Sequence, residues 1–188
     1  MVRNIAVFCA SANGEHPAYK TVAQELGRTL ATHNVGLIYG GAKVGLMSAV
    51  AEAALAANGR VTGVILEVLV DLEVAHRGLT ELHVTNTMHT RKALIGEKAD
   101  AFIALPGGFG TFEELFEVLA WHTLKLHAKP IFLLNINGFY DQLLLFLDHC
   151  VTEGMLKPKS RELFFVVDTV EDVLAQLAII PGHHSVEI

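Results

Sequence analysis

The sequence predicts a doubly wound, Rossmann-like α/β fold: three layers around a mainly parallel central sheet. Three observations carry this. Strand-like and helix-like segments alternate along the whole chain of 188 residues. The strand-like runs are apolar on both faces, as a sheet covered by helices on both sides requires. Glycine or polar turns follow strands and precede helices, which is where such folds build ligand sites.

In chain order, Ile5–Cys9 reads as a buried strand. Pro17–Thr32 reads as a helix, with proline in its first turn and Val22, Leu26 and Leu30 on one face. Val35–Tyr39 is the next strand and runs into Gly40-Gly41. Leu46–Asn58 is an alanine-rich helix stopped by Gly59. Strands at Val61–Ile65 and Leu82–Thr85 follow, then a helix over Met88–Lys98 and a strand over Ala101–Leu105. A helix over Phe112–Leu124, a strand over Ile131–Leu134 and a helix over Tyr140–Glu153 come next. Strand Phe164–Val167 and helix Val170–Ala178 close the pattern. No repeat, low-complexity stretch or linker interrupts it, so residues 1–188 read as a single domain.

Composition narrows the function. The net charge of −6 argues against a general nucleic-acid binder or a binder of anionic membranes. Cys9 and Cys150 lie far apart, form no zinc pattern and fit a reducing compartment. No apolar run is long enough to span a bilayer. A cytoplasmic protein is expected.

The stretch around which the chemistry gathers is Pro106-Gly107-Gly108-Phe109-Gly110-Thr111-Phe112-Glu113-Glu114. It joins a strand to a helix start. Glycines admit a ligand to the backbone amides, and a helix N-terminus favours a phosphate. The same residues also read as an ordinary capped helix, with Thr111 at the N-cap and Glu114 closing a capping box. Three other turns, Ala10–Gly14, Gly40–Gly45 and Thr85–Thr87, should share this edge of the sheet. Gly45 opens a second helix whose N-terminus could also face a ligand. His89, Arg91 and Lys92 crowd the first turns of the helix after Thr87, where cations oppose the helix dipole. They form either a solvated basic patch or a seat for an anion.

Other chemistry is weak. His122 and His127 are too far apart around a regular helix to chelate one metal, and no metal site is expected. His183 and His184 adjoin in a polar tail. Cys9 reads as a small buried thiol. The helix bearing Leu115, Phe116, Leu119 and Trp121 is apolar over a wide arc, which suggests a subunit interface as well as core.

Pro106-Gly107-Gly108-x-Gly110-Thr111-x-x-Glu114, with Met88-His89-x-Arg91-Lys92 upstream, resembles the LOG ("lonely guy") family. So do Phe8-Cys9-x-Ser11, Tyr39-Gly40-Gly41-x-x-x-Gly45-Leu46-Met47 and Glu73-Val74-Ala75-His76-Arg77-Gly78-Leu79-Thr80-Glu81. Members are cytokinin riboside 5′-monophosphate phosphoribohydrolases, many of them once labelled lysine decarboxylases. The resemblance implies a hydrolase releasing free base and ribose 5-phosphate from an N6-substituted or plain adenosine 5′-monophosphate, without metal or organic cofactor. It assigns catalysis to Arg91 and Glu114. It assigns the 5′-phosphate to Gly107, Gly108, Gly110 and Thr111, and further substrate contacts to Glu73, Met88 and Lys92. It also implies a homodimer with sites near the subunit interface. The chain departs from the family pattern at Thr90, Ala42-Lys43, Ser48, Leu66 and Ala120, and none of these is a catalytic position. A nucleotide- or cofactor-carrying protein of the same fold, binding without turnover, is the alternative.

Overall fold

The computed structural model describes residues 2–72 and 74–179. Glu73, His183 and His184 lie outside the described residues. Among the described residues, seven parallel strands form one sheet in the order β4-β3-β2-β1-β5-β6-β7. They are β1 (Asn4–Phe8), β2 (Gly36–Tyr39), β3 (Val61–Leu66), β4 (Glu81–Thr85), β5 (Ala101–Ala104), β6 (Ile131–Leu134) and β7 (Phe165–Val167). The major helices are α1 (Pro17–Thr32), α2 (Gly45–Ala56), α4 (Met88–Lys98), α5 (Phe109–Thr123), α6 (Asp141–Thr152) and α8 (Val170–Ile179). The short helices α3 (Glu67–Asp71) and α7 (Pro158–Arg161) and a 3₁₀ turn at Ile136–Gly138 fill connections that carry too few residues for a periodic signal.

The period-two geometry of a strand divides the core in two. Ile5 and Val7 of β1 pack with Leu26 and Leu30 of α1, Leu46 and Val50 of α2 and Val173 of α8. Ala6 and Phe8 turn to the other face and join Ile95 of α4, Leu115 and Val118 of α5 and Leu147 of α6. Gly27 lies in mid-helix because a Cβ there would strike the Val50 carbonyl. It is what lets α1 and α2 approach backbone to backbone.

The strand order reverses between β1 and β5. From β1 the sheet grows through β2 to β4 on one side, and from β5 through β6 and β7 on the other. Loops leaving β1 and β5 diverge at such a point and open a crevice at the carboxyl ends of the strands. Leu105 N donates to Phe8 O at 2.9 Å and Ala10 N to Pro106 O at 3.2 Å, so the turn after β1 lies directly against the Pro106–Gly110 turn.

Two readings need correction. Helix α5 begins at Phe109, three residues earlier than the pattern predicts, and its N-cap is Gly108 with no side-chain cap bond. Thr111 is therefore inside the first turn and Glu114 is not the far end of a capping box. The flanking glycines look like loop in sequence, yet Gly110 is the second helical residue. Nor is every first-turn amide of α2 free for a ligand. Gly45 adopts φ +52° with its Cα against Ser11 and Ala12, and the Leu46 amide already reaches the carbonyls of Ala10 and Ala12 at 3.1 and 3.2 Å.

Candidate active site

Helix α4 starts at the N-cap Thr87, whose hydroxyl accepts from Thr90 N at 3.1 Å. Four residues on, Arg91 turns inward and is only 9% exposed. Burying a guanidinium is costly unless its donors are used. Here Nε donates to Val64 O at 2.9 Å, and Nη1 donates to Glu114 Oε1 at 2.7 Å. Nη1 also lies 3.7 Å from Met88 Sδ. The fork thus spans from β3 to α5. Gly40 makes room for it, since a Cβ at that position would lie 2.7 Å from Nη2. The sequence marks Gly40 as a turn glycine; that it clears space for an arginine becomes visible only when α4 is folded over β2.

Glu114 is nearly buried, and burial pushes its carboxyl above the ordinary glutamate value. The Arg91 charge and hydrogen bond oppose that rise, and Glu113 adds to it. The result is a carboxylate held in low dielectric beside a fixed cation, a pattern typical of catalytic carboxylates and also of structural pairs.

The glycine turn lies just upstream on α5. A Cβ on Gly107 would run into the Thr111 hydroxyl, so that residue and the buried Thr111 interlock. Gly108 and Gly110 differ. A Cβ on either would meet nothing within 4 Å. Neither has the positive φ that excludes side chains. Protein packing therefore does not demand glycine at 108 and 110. Clearance for a ligand approaching the first-turn amides does account for it. Phe112 N bonds back to Gly108 O at 3.0 Å, and the amides before it have no partner within the helix.

Lys92, next to Arg91 on α4, also reaches α5. Its ammonium pairs with Glu113 and, at 2.9 Å, with Glu117, both on α5. Burial alone would lower its pKa, but these bonds hold it above the ordinary lysine value. Cys9 is buried, and burial, with the Glu114 charge adding, pushes its thiol far above the usual value. The thiolate needed for nucleophilic attack is thereby suppressed. His127 lies past the end of α5 and its Nε2 is 2.9 Å from Val118 O. No cluster of three or more metal-ligating side chains occurs among the described residues.

So the structure brings Met88, Arg91 and Glu114 into contact and sets the Gly107–Thr111 turn one helical turn upstream of Glu114. Gly40, expected on this edge as part of a turn, joins the site by making room for Arg91, and the Val64 carbonyl joins it without having been expected.

A family model described as "Possible lysine decarboxylase" matches residues 47–177. The cytokinin riboside 5′-monophosphate phosphoribohydrolase of Rhodococcoides fascians is 47% identical over 176 residues, covering 93% of this chain and 89% of that protein. A protein of the same name from Arabidopsis thaliana is 42% identical over 182 residues, covering 96% and 85%. Among solved structures, the molybdenum cofactor carrier protein of Chlamydomonas reinhardtii superposes with a TM-score of 0.70 at 20% identity, covering 95% of this chain and 97% of that one. The molybdenum cofactor binding protein of Rippkaea orientalis gives 0.72 at 20% identity, covering 95% and 96%. At that identity these two structures share the fold, and the likeness carries no further than that.

Proposed function

The chain belongs to the LOG family of phosphoribohydrolases, and we propose that it hydrolyses the N-glycosidic bond of adenosine 5′-monophosphate or an N6-substituted form. The products are free base and ribose 5-phosphate. The observation that carries the reading is the buried Arg91–Glu114 pair one turn from an unobstructed, glycine-lined helix start.

The 5′-phosphate sits on the α5 N-terminus, taken up by amides of the Gly107–Thr111 turn and by the partial charge of the helix. This seats the ribose toward Glu114. As the C1′–N bond breaks, positive charge grows on the ribose ring and negative charge on the base. The Glu114 carboxylate stabilises the cation or draws a proton from water. Arg91 opposes the protonation that burial favours and offers its remaining N–H donors to negative charge. Water adds its oxygen to C1′, and its proton goes to the departing base. Met88 lies at the site beside Arg91, with Glu73 and Lys92 as further substrate contacts. No metal or organic cofactor takes part. Decarboxylation of lysine through pyridoxal phosphate would need an uncharged, nucleophilic amine. Lys92 is instead doubly paired and held as an ammonium.

The whole chain acts as one nucleotide-binding unit and as a homodimer. What supports the dimer is an exposed apolar stripe on α5. Phe109 is 94% exposed and Phe116, two turns on along the same face, 41%.

The test is a substrate panel: adenosine 5′-monophosphate, its N6-substituted forms and adenosine. The phosphorylated substrates are expected to turn over, and adenosine about a hundredfold less efficiently or worse. Equal kcat/KM for adenosine would remove the phosphate from the account.

A further inference from the structure

We propose that Tyr140 is the positioning residue of the glycine turn, holding it in the register that a 5′-phosphate requires; this rests on the phosphate reading of that turn given above.

The evidence is a slip in the β1–β5 ladder. Phe8 pairs with Ala104, and Leu105 N donates to Phe8 O at 2.9 Å. In a parallel ladder the Leu105 carbonyl would next accept the amide of Ala10. That amide instead reaches Pro106 O at 3.2 Å. The Leu105 carbonyl, buried and passed over by the ladder, is taken by the Tyr140 hydroxyl, which donates to it at 2.6 Å. The phenol thus satisfies the acceptor that the slip leaves behind. Without it, the buried carbonyl would draw the Ala10 amide back by one residue and rotate the turn.

The same side chain reaches the helix end of the turn. Its ring stands edge-on to Phe112, at 6.4 Å between centroids, and Phe112 is the residue whose amide bonds back to Gly108 O. Tyr140 is itself fixed. It is fully buried, and its amide donates to Asn135 Oδ1 at 2.7 Å. Asn135 Nδ2 in turn donates to Asp141 Oδ1 at 2.8 Å. Burial raises the phenol above its usual value, so it stays a donor at any working pH. One tyrosine from the β6–α6 connection therefore braces both ends of a turn that lies 35 residues earlier in the chain.

Tyr140→Phe keeps the ring and removes only the donor. KM for adenosine 5′-monophosphate is expected to rise about tenfold, the equivalent of one lost buried hydrogen bond, while kcat stays within about twofold. Inhibition by ribose 5-phosphate should weaken in parallel, and inhibition by free adenine should not. Unchanged ribose 5-phosphate inhibition would overturn the proposal. So would equal weakening toward adenine, which would indicate general loosening. Gly108→Ala separates this from the phosphate reading, because its methyl enters open space and obstructs only a ligand. If Gly108→Ala weakens ribose 5-phosphate and Tyr140→Phe does not, Tyr140 alone is misassigned. If neither does, the turn does not hold phosphate.

Discussion

Arg91 Nη1 lies 2.7 Å from Glu114 Oε1, and the same guanidinium holds the Val64 carbonyl at 2.9 Å through Nε. One side chain therefore joins α4 to α5 and to β3. Each partner is nearly buried, so losing Arg91 strands the Glu114 charge, whereas a neutral amide at 114 still accepts the Arg91 hydrogen bond.

Arg91→Ala is expected to cost about 3–5 kcal/mol, because Glu114 is left buried without its cation. Arg91→Lys keeps the charge but cannot reach both Val64 O and Glu114 with one ammonium, so it should recover part of the stability and little of the turnover. Chemical denaturation and base-release assays on both variants check this. Wild-type stability in Arg91→Ala would show that the pair contributes little to the fold.

Adjacent glycines should respond in opposite ways. Gly107→Ala drives its methyl into Thr111 and is expected to destabilise the protein by about 1–3 kcal/mol. Gly108→Ala meets no neighbour, so melting should be unchanged while nucleotide binding weakens. Thermal unfolding and calorimetric titration with adenosine 5′-monophosphate distinguish the two. Loss of fold in Gly108→Ala would mean that its glycine is structural.

The raised pKa of Glu114 predicts pH effects of opposite sign on activity and stability. The carboxylate acts ionised, so kcat/KM should rise with pH through a value above that of an ordinary glutamate. The folded pKa exceeds the unfolded one, so the folded state binds more protons between the two values. Over that window stability should fall as pH rises, and the fall should vanish in Glu114→Gln. Rate profiles and denaturation midpoints across the window test both signs.

Light scattering is expected to show a dimer at micromolar concentration. Phe116→Asp, which places a charge in the exposed α5 stripe, should shift it toward monomer without loss of helix content. A wild-type monomer would contradict the interface.

Much of this was legible in the sequence. The elements from Pro17–Thr32 to Ile131–Leu134 follow from apolar period and from proline and glycine punctuation, and their placement on one sheet edge follows from parallel strands. The start of α5 was not legible, because Gly110 disfavours helix by propensity while the turn imposes it. The roles of Gly40, the Val64 carbonyl and Tyr140 were hidden for another reason. Each depends on a contact across elements, between residues 27 to 51 positions apart, for which local pattern carries no signal. Arg91 and Glu114 could be named from their motifs, but their direct bond required the fold.

The most direct measurement is product analysis of adenosine 5′-monophosphate incubated with wild-type protein and with Glu114→Gln. Wild type is expected to release adenine and ribose 5-phosphate in equal amounts. Glu114→Gln, with the same shape but no negative charge, should melt near wild type and turn over about a hundredfold slower or worse. A folded Glu114→Gln protein with near-normal release, or a wild type that binds the nucleotide and releases no base, would contradict the account.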